Sequence, residues 1–284
     1  AYLKRNPKVA RQTKVVIRSH TPWGLLRTTY LADEIKTTDG WWATQREHYC
    51  FHNCDAITTP SQNLKQQLIK LYQLPARKIT VIPNIVDTDH FKPLNGSRNN
   101  QYFNVLHVGR FERAKGAITI TKAFIESAKE NPKMRLINVG LSQDTTYDKC
   151  VQLLKESKMM DRISFNGFVP YKDLPEWYAK ADVVIVASNI YESFSYTVAQ
   201  AMACGKPVIA SNIGGIPETV NHGEAGLLFS PGDVVDLSDK IELLYNNTEK
   251  RRVLGEKARL FCETNFSIEV LKTRYLEYYQ SLLN

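Results

Sequence analysis

At 284 residues, with 43% hydrophobic and 23% charged residues, the chain is large enough for one large or two ordinary globular domains and too apolar for a disordered segment. No apolar run reaches the roughly eighteen residues of a membrane-spanning helix, and residues 1–7 lack the apolar core of a signal peptide. The formal charge of +8 is uneven, since residues 1–100 hold 15 Lys/Arg against 7 Asp/Glu whereas residues 101–284 hold 22 of each. An excess confined to the first part favours an anionic ligand or surface there, such as anionic lipid or a lipid-linked phosphate acceptor. No nucleic-acid recognition motif accompanies it. Five cysteines, an odd number without regular spacing, point to free thiols in a reducing compartment. The expected location is cytoplasmic, with peripheral contact at the inner face of the membrane.

In chain order, a strand is predicted over 15–20, a turn over 21–24 and a helix over 41–53. A short strand over 56–59 leads to Pro60 and Ser61, followed by a helix over 63–72. A strand over 79–82 closes at Pro83 and Asn84. That is a thin sheet for an independent domain, so residues 1–94 read as a partial N-terminal α/β domain. Asn95-Gly96-Ser97-Arg98-Asn99-Asn100 is polar and turn-prone, and residues 95–101 are predicted as a linker. Beyond it, strands over 103–108, 135–139, 163–165, 183–187 and 208–210 alternate with helices over 118–131, 149–157, 174–180 and 196–204. This alternation predicts a doubly wound, Rossmann-like parallel sheet in residues 102–264. Residues 268–283 carry spaced apolar residues (Val270, Leu271, Tyr275, Tyr278, Leu282, Leu283), an amphipathic helix expected to pack back on the first domain.

The most informative segment runs from Ala187 to Ser195. It follows a continuous apolar strand and precedes a helix, the place where open α/β sheets bind ligands. A helix N-terminus there offers amides and a dipole to an anion, and Glu192 stands just ahead of it. A phosphate seat beside a carboxylate suits a phosphorylated polyol such as a nucleotide sugar. A second loop, His107 to Gly116, follows the first strand of this domain. Gly109 permits a tight turn, while Arg110 and Lys115 are the fork and point charge that suit a diphosphate. A third loop, Ser211 to Glu218, holds adjacent glycines; Glu218 can be read as a favourable first-turn acid or as part of the site. Asp87-Thr88-Asp89 and the set His48, Cys50, His52 and Cys54 imitate metal sites. The first follows a turn in the other domain and the second divides between two helix faces, so no metal is expected at either.

Several segments are similar, in the right order, to retaining glycosyltransferases of family 4, the glycosyl transferases group 1, which have the two-domain GT-B fold. They are Val108-Gly109-Arg110-Phe111 with Lys115-Gly116, Asn166-Gly167-Phe168-Val169-Pro170, Glu192-Ser193-Phe194, the stretch 201–211, and the turn from Gly214 to Glu218. Arg18-Ser19-His20, Pro60-Ser61 and the stretch 81–87 also resemble the family in the first domain. The family usually has a longer segment before His20, which implies that the first part of the N-terminal domain is missing here.

The resemblance implies a hexosyltransferase using a UDP-sugar, UDP-glucose foremost, with a polysaccharide, lipid-linked or small-molecule acceptor and no required metal or cofactor. Arg110 and Lys115 would hold the donor diphosphate beside Gly109. Gly167, Phe168 and Val169 would frame the base. Glu192 would meet the sugar hydroxyls, with Ser193 beside it, and the amides of Phe194, Ser195 and Tyr196 the phosphate. His20 would face the reacting sugar from the first domain, and residues 265–284 would cross back onto that domain. Two positions depart from the family: Gln200 replaces the Glu that normally meets the ribose, and Ser195 replaces a Gly beside the phosphate. A UDP-sugar-binding protein without turnover, and a GT-B-like epimerase, are the alternative readings.

Overall fold

The computed structural model describes residues 13–25, 38–94, 101–142 and 145–284. The predicted linker residues 95–100 and the segment 1–7 lie outside the described residues.

The first unit holds β1 (Val16–Arg18), α1 (Thr38–Asn53), β2 (Ala56–Thr59), α2 (Gln62–Tyr72) and β3 (Ile79–Val81). Its three strands pair in parallel in the order β1-β2-β3. Helix α2 forms because Leu64, Leu68 and Tyr72 recur every four residues and are all buried, while Ser61 caps its start. It stops at Gln73, whose φ of 52° is left-handed.

The second unit runs β4 (Phe103–Val108), α3 (Ala117–Ala128), β5 (Met134–Val139), α4 (Thr146–Glu156), β6 (Ile163–Phe165), α5 (Leu174–Lys180) and β7 (Val183–Val186). It continues with α6 (Tyr196–Ala203), β8 (Val208–Ser211), α7 (Ile216–Thr219), β9 (Leu227–Phe229), α8 (Val234–Asn246), α9 (Thr248–Phe266) and α10 (Ile268–Leu283). The order β6-β5-β4-β7-β8-β9 is parallel throughout. The chain therefore starts in the middle at β4, winds out to β6, then returns beside β4 and winds the other way. Strand residues alternate between two cores: Val105, Val183, Ile185 and Ile209 face one, and Leu106, Val184, Val208 and Ala210 the other. The topological switch point lies between β4 and β7, and a doubly wound sheet opens its ligand crevice at that edge.

The predicted helices 118–131 and 149–157 form over Ala117–Ala128 and Thr146–Glu156. Elements β9, α8 and α9 are additions to the predicted set. Between α9 and α10 the chain breaks at Ser267, which caps α10 through Val270 N–H at 3.4 Å and pairs with Val86. From α10, the Tyr275 hydroxyl donates to the Pro83 carbonyl at 3.4 Å, and its ring lies under the Arg18 guanidinium at 5.8 Å. No helix among the described residues is long and apolar enough to cross a membrane.

Candidate active site

Three loops leave the C-terminal ends of β4, β5 and β7, and glycines let them pack backbone to backbone. A Cβ at Gly140 would lie 2.0 Å from the Gly109 carbonyl oxygen, and one at Gly116 only 1.9 Å from that of Ala187. Gly116 has φ 75° and opens α3, so Lys115 is delivered onto the loop after β7. The Asn189 amide holds that loop in turn, donating to the Ala114 carbonyl at 2.9 Å.

The result is a cavity of about 220 Å³ at the switch point, lined by His107, Gly109, Lys115, Ser188, Glu192 and the start of α6. Lys115 and Glu192 form an ion pair whose side chains keep 25% and 17% of their exposure. Ser188 donates to the same Glu192 Oε1 at 2.8 Å. Ser195 caps α6 by accepting from Val198 N–H at 3.4 Å, and Ser195, Tyr196 and Thr197 at the start of that helix line the cavity. Thr197 on the first turn donates to the Val108 carbonyl at 3.3 Å, fixing α6 against β4. A cation, a carboxylate and a helix N-terminus thus converge over one crevice.

The other sequence-predicted residues are spread around this centre. Arg110 is not in the cavity lining; it pairs with Glu112 at 3.2 Å and keeps 54% of its side-chain exposure. Ser193 and Phe194 are buried in the loop, while Tyr196 is exposed at the start of α6. Gln200 Oε1 accepts from the Tyr178 hydroxyl at 3.1 Å. Gly167 accepts from Gly140 N–H at 2.7 Å, Val169 packs on the core, and Phe168 is 73% exposed. These three sit past β6, outside the cavity lining.

His20 is exposed at the end of β1 and lines a separate cavity of about 340 Å³ with Arg18, Arg46 and Cys50. Burial, then the Arg18 charge, lowers its pKa. Thr21, which also lines this second cavity, donates from Oγ1 to Ser193 Oγ at 3.4 Å, on the residue next to Glu192. Cys50, Cys54, Cys150, Cys204 and Cys262 are free thiols.

Sequence reasoning passed over Ser188 and His107 as site residues, although both lay inside the quoted loops. His107 is 2% exposed, and its Nδ1 lies 3.3 Å from the Ile185 carbonyl. Burial lowers its pKa to about 4, against the favourable carbonyl contact and helped by the Lys115 charge. The folded pKa is below the ordinary 6.5, so between those values the unfolded chain takes up a proton that the folded chain refuses. Stability is expected to fall by about 3 kcal/mol as pH drops through that window, at ~1.36 kcal/mol per unit. Urea unfolding at pH 7 and pH 4.5 tests this: His107→Asn should flatten the acid limb, and parallel losses in both proteins would assign it to other groups.

Comparison with known proteins places this geometry in a family. The model described as glycosyl transferases group 1 matches residues 88–261, and that of glycosyltransferase family 4 matches residues 1–90. Among curated proteins, N-acetyl-alpha-D-glucosaminyl L-malate synthase of Bacillus anthracis is 27% identical over 81% of this chain and 60% of its own length. Mannosylfructose-phosphate synthase of Agrobacterium fabrum is 30% identical over 80% of this chain and 54% of its own. The chain spans roughly half the length of such relatives, 43% to 66%. Among solved structures, sucrose-phosphate synthase from Thermosynechococcus elongatus superposes with a TM-score of 0.82 at 24% identity, covering 97% of this chain and 70% of that one. Anabaena Alr3699/HepE in complex with UDP and glucose gives 0.79 at 23%, covering 96% and 73%. With the family profile spanning most of the second unit and this fold shared, the chain belongs to the glycosyl transferases group 1, proteins of the GT-B fold.

Proposed function

We propose that this chain is the donor-binding part of a retaining transferase that moves a hexose from a UDP-sugar, UDP-glucose foremost, to a polysaccharide, lipid-linked or small-molecule acceptor. The Lys115–Glu192 pair at the N-terminus of α6, over the switch point, carries the reading. In transfer, the bond from the anomeric carbon to the β-phosphate oxygen breaks and its electron pair stays on that oxygen. Lys115 and the first amides of α6 stabilise the charge that develops there. Because these positive groups belong to the protein, the proposed mechanism requires no metal. The acceptor hydroxyl attacks from the same face and passes its proton to the leaving phosphate, which retains configuration. Glu192 orients the hexose by accepting from its hydroxyls, and His20 approaches from the first unit. UDP complexes among the fold neighbours support the nucleotide, and the complex of Anabaena HepE with UDP-glucose supports the sugar.

Calorimetric titration with UDP, GDP and ADP tests the donor: UDP should bind most tightly, and equal failure of all three would overturn the reading. Glu192→Gln should weaken UDP-glucose about tenfold, the scale of one charge-assisted bond. UDP alone should bind as well or better, because Lys115 loses a competing carboxylate. A parallel loss of both ligands would remove Glu192 from the hexose.

A further inference from the structure

Helix α2 has no acidic residue in its first turn. Its opening amides are nonetheless all engaged. Leu64 N–H donates to Ser61 Oγ at 3.3 Å, and Lys65 N–H to the Ser61 carbonyl at 3.2 Å. The remaining two cross to the second unit, Gln62 N–H donating to Glu218 Oε2 at 2.7 Å and Asn63 N–H to Glu218 Oε1 at 2.6 Å. A carboxylate spanning two free amides on the positive end of a helix dipole makes a strong cap. Here the cap comes from 156 residues further along the chain.

The same contact reaches Glu192 by two routes. Tyr191, its neighbour, is 7% exposed and packs into the core of the first unit beside Leu64 and Leu68. Its hydroxyl donates to Asn63 Oδ1 at 2.8 Å, on the residue that Glu218 caps. The second route is the turn before Glu218, where Gly215 N–H donates to the Glu192 carbonyl at 2.7 Å. Both glycines of that turn are needed for closeness: a Cβ at 214 would lie 2.2 Å from the Glu192 carbonyl oxygen. One at 215 would lie 2.2 Å from that of Ser193 and 2.8 Å from Ser61 Oγ.

We infer that Glu218 is a positioning residue: by capping α2 it locks the first unit onto the loop that carries Glu192, so that docking of the two units seats the carboxylate for the donor hexose. The inference rests on the donor reading above, in which Glu192 serves the sugar and Lys115 the diphosphate. Loosening the cap would then be felt by the sugar and scarcely by the nucleotide.

The test is calorimetric titration of the intact chain with UDP and with UDP-glucose, for wild type, Glu192→Gln, Glu218→Ala, Glu218→Gln and Tyr191→Phe. Glu218→Ala should weaken UDP-glucose about fivefold, the low end of coupling between sites, and leave UDP within about twofold. Glu218→Gln keeps an acceptor and should fall between wild type and Glu218→Ala. Should Glu218→Ala unfold, Tyr191→Phe keeps the buried ring, loses only the hydroxyl contact, and should show the same selective loss. A merely structural role would weaken both ligands in step with the thermal midpoint. If the Glu218 and Tyr191 variants shift both ligands equally, or neither, while Glu192→Gln separates them, this inference alone is overturned. If Glu192→Gln fails to separate them, the hexose reading is lost and this inference with it.

Discussion

Lys115→Ala is expected to weaken UDP binding by roughly 10- to 100-fold, and Arg110→Ala by less than about fivefold. The two cations look equivalent in sequence, and the packing distinguishes them. Lys115 sits inside the cavity at the α6 N-terminus with a quarter of its side chain exposed, where a charge-assisted bond is worth ~1.5–3 kcal/mol. Arg110 is more than half exposed, already pairs with Glu112, and lies outside the lining, a setting in which ion pairs contribute ~0–1 kcal/mol. Removing the ammonium also leaves the Glu192 carboxylate facing the incoming diphosphate. Part of the loss should therefore return in the double variant Lys115→Ala/Glu192→Gln, a coupling that a double-mutant cycle reads directly. Titration with UDP and with uridine checks the assignment. Equal weakening by both substitutions, or a comparable loss of uridine binding, would put the diphosphate elsewhere.

The α/β wind and the ligand edge were legible because fully buried parallel strands leave continuous apolar runs. Val183–Val186 and residues 208–210 are such runs, and their loops are the site. The missed elements have weaker signals. Leu227–Phe229 is only three residues long. In α9 the buried residues Leu254, Ala258, Cys262 and Phe266 form a narrow four-spaced stripe, with small residues where a strong apolar signal is normally read. Gly255 in that helix is small for a reason, since a Cβ there would lie 2.3 Å from the Gly205 carbonyl oxygen. Side-chain direction in loops was not legible. The separation of Lys115 from Arg110 depends on the left-handed Gly116 and its contact with Ala187. Glu218 is a plausible first-turn acid of its own short helix by sequence. Its bonds to Gln62 and Asn63 exist only once two units far apart in the chain are packed together.

Gly116→Ala should destabilise the protein by about 3 kcal/mol and abolish most UDP binding, whereas Gly167→Ala should cost only about 1 kcal/mol. Both glycines have left-handed φ, 75° and 60°, so both substitutions carry the penalty of a Cβ in that region, ~1–2 kcal/mol. They differ in space. A Cβ at Gly167 meets nothing within 4 Å, but one at Gly116 would stand 1.9 Å from the Ala187 carbonyl oxygen and 2.8 Å from its Cβ. Relief cannot come from a flexible side chain, because the obstacle is backbone at the end of β7. The loop there is held by Asn189, whose amide donates to the Ala114 carbonyl at 2.9 Å and whose side chain donates to that of Arg113 at 3.0 Å. Overpacking of this kind costs ~1–3 kcal/mol beyond the backbone term. The movement that accommodates the methyl must separate the two loops, and with them Lys115 from Glu192. Urea unfolding and UDP titration on the two variants test the argument together. Matching losses of stability in Gly116→Ala and Gly167→Ala would show that backbone conformation alone, and not the close approach of the two loops, governs the site.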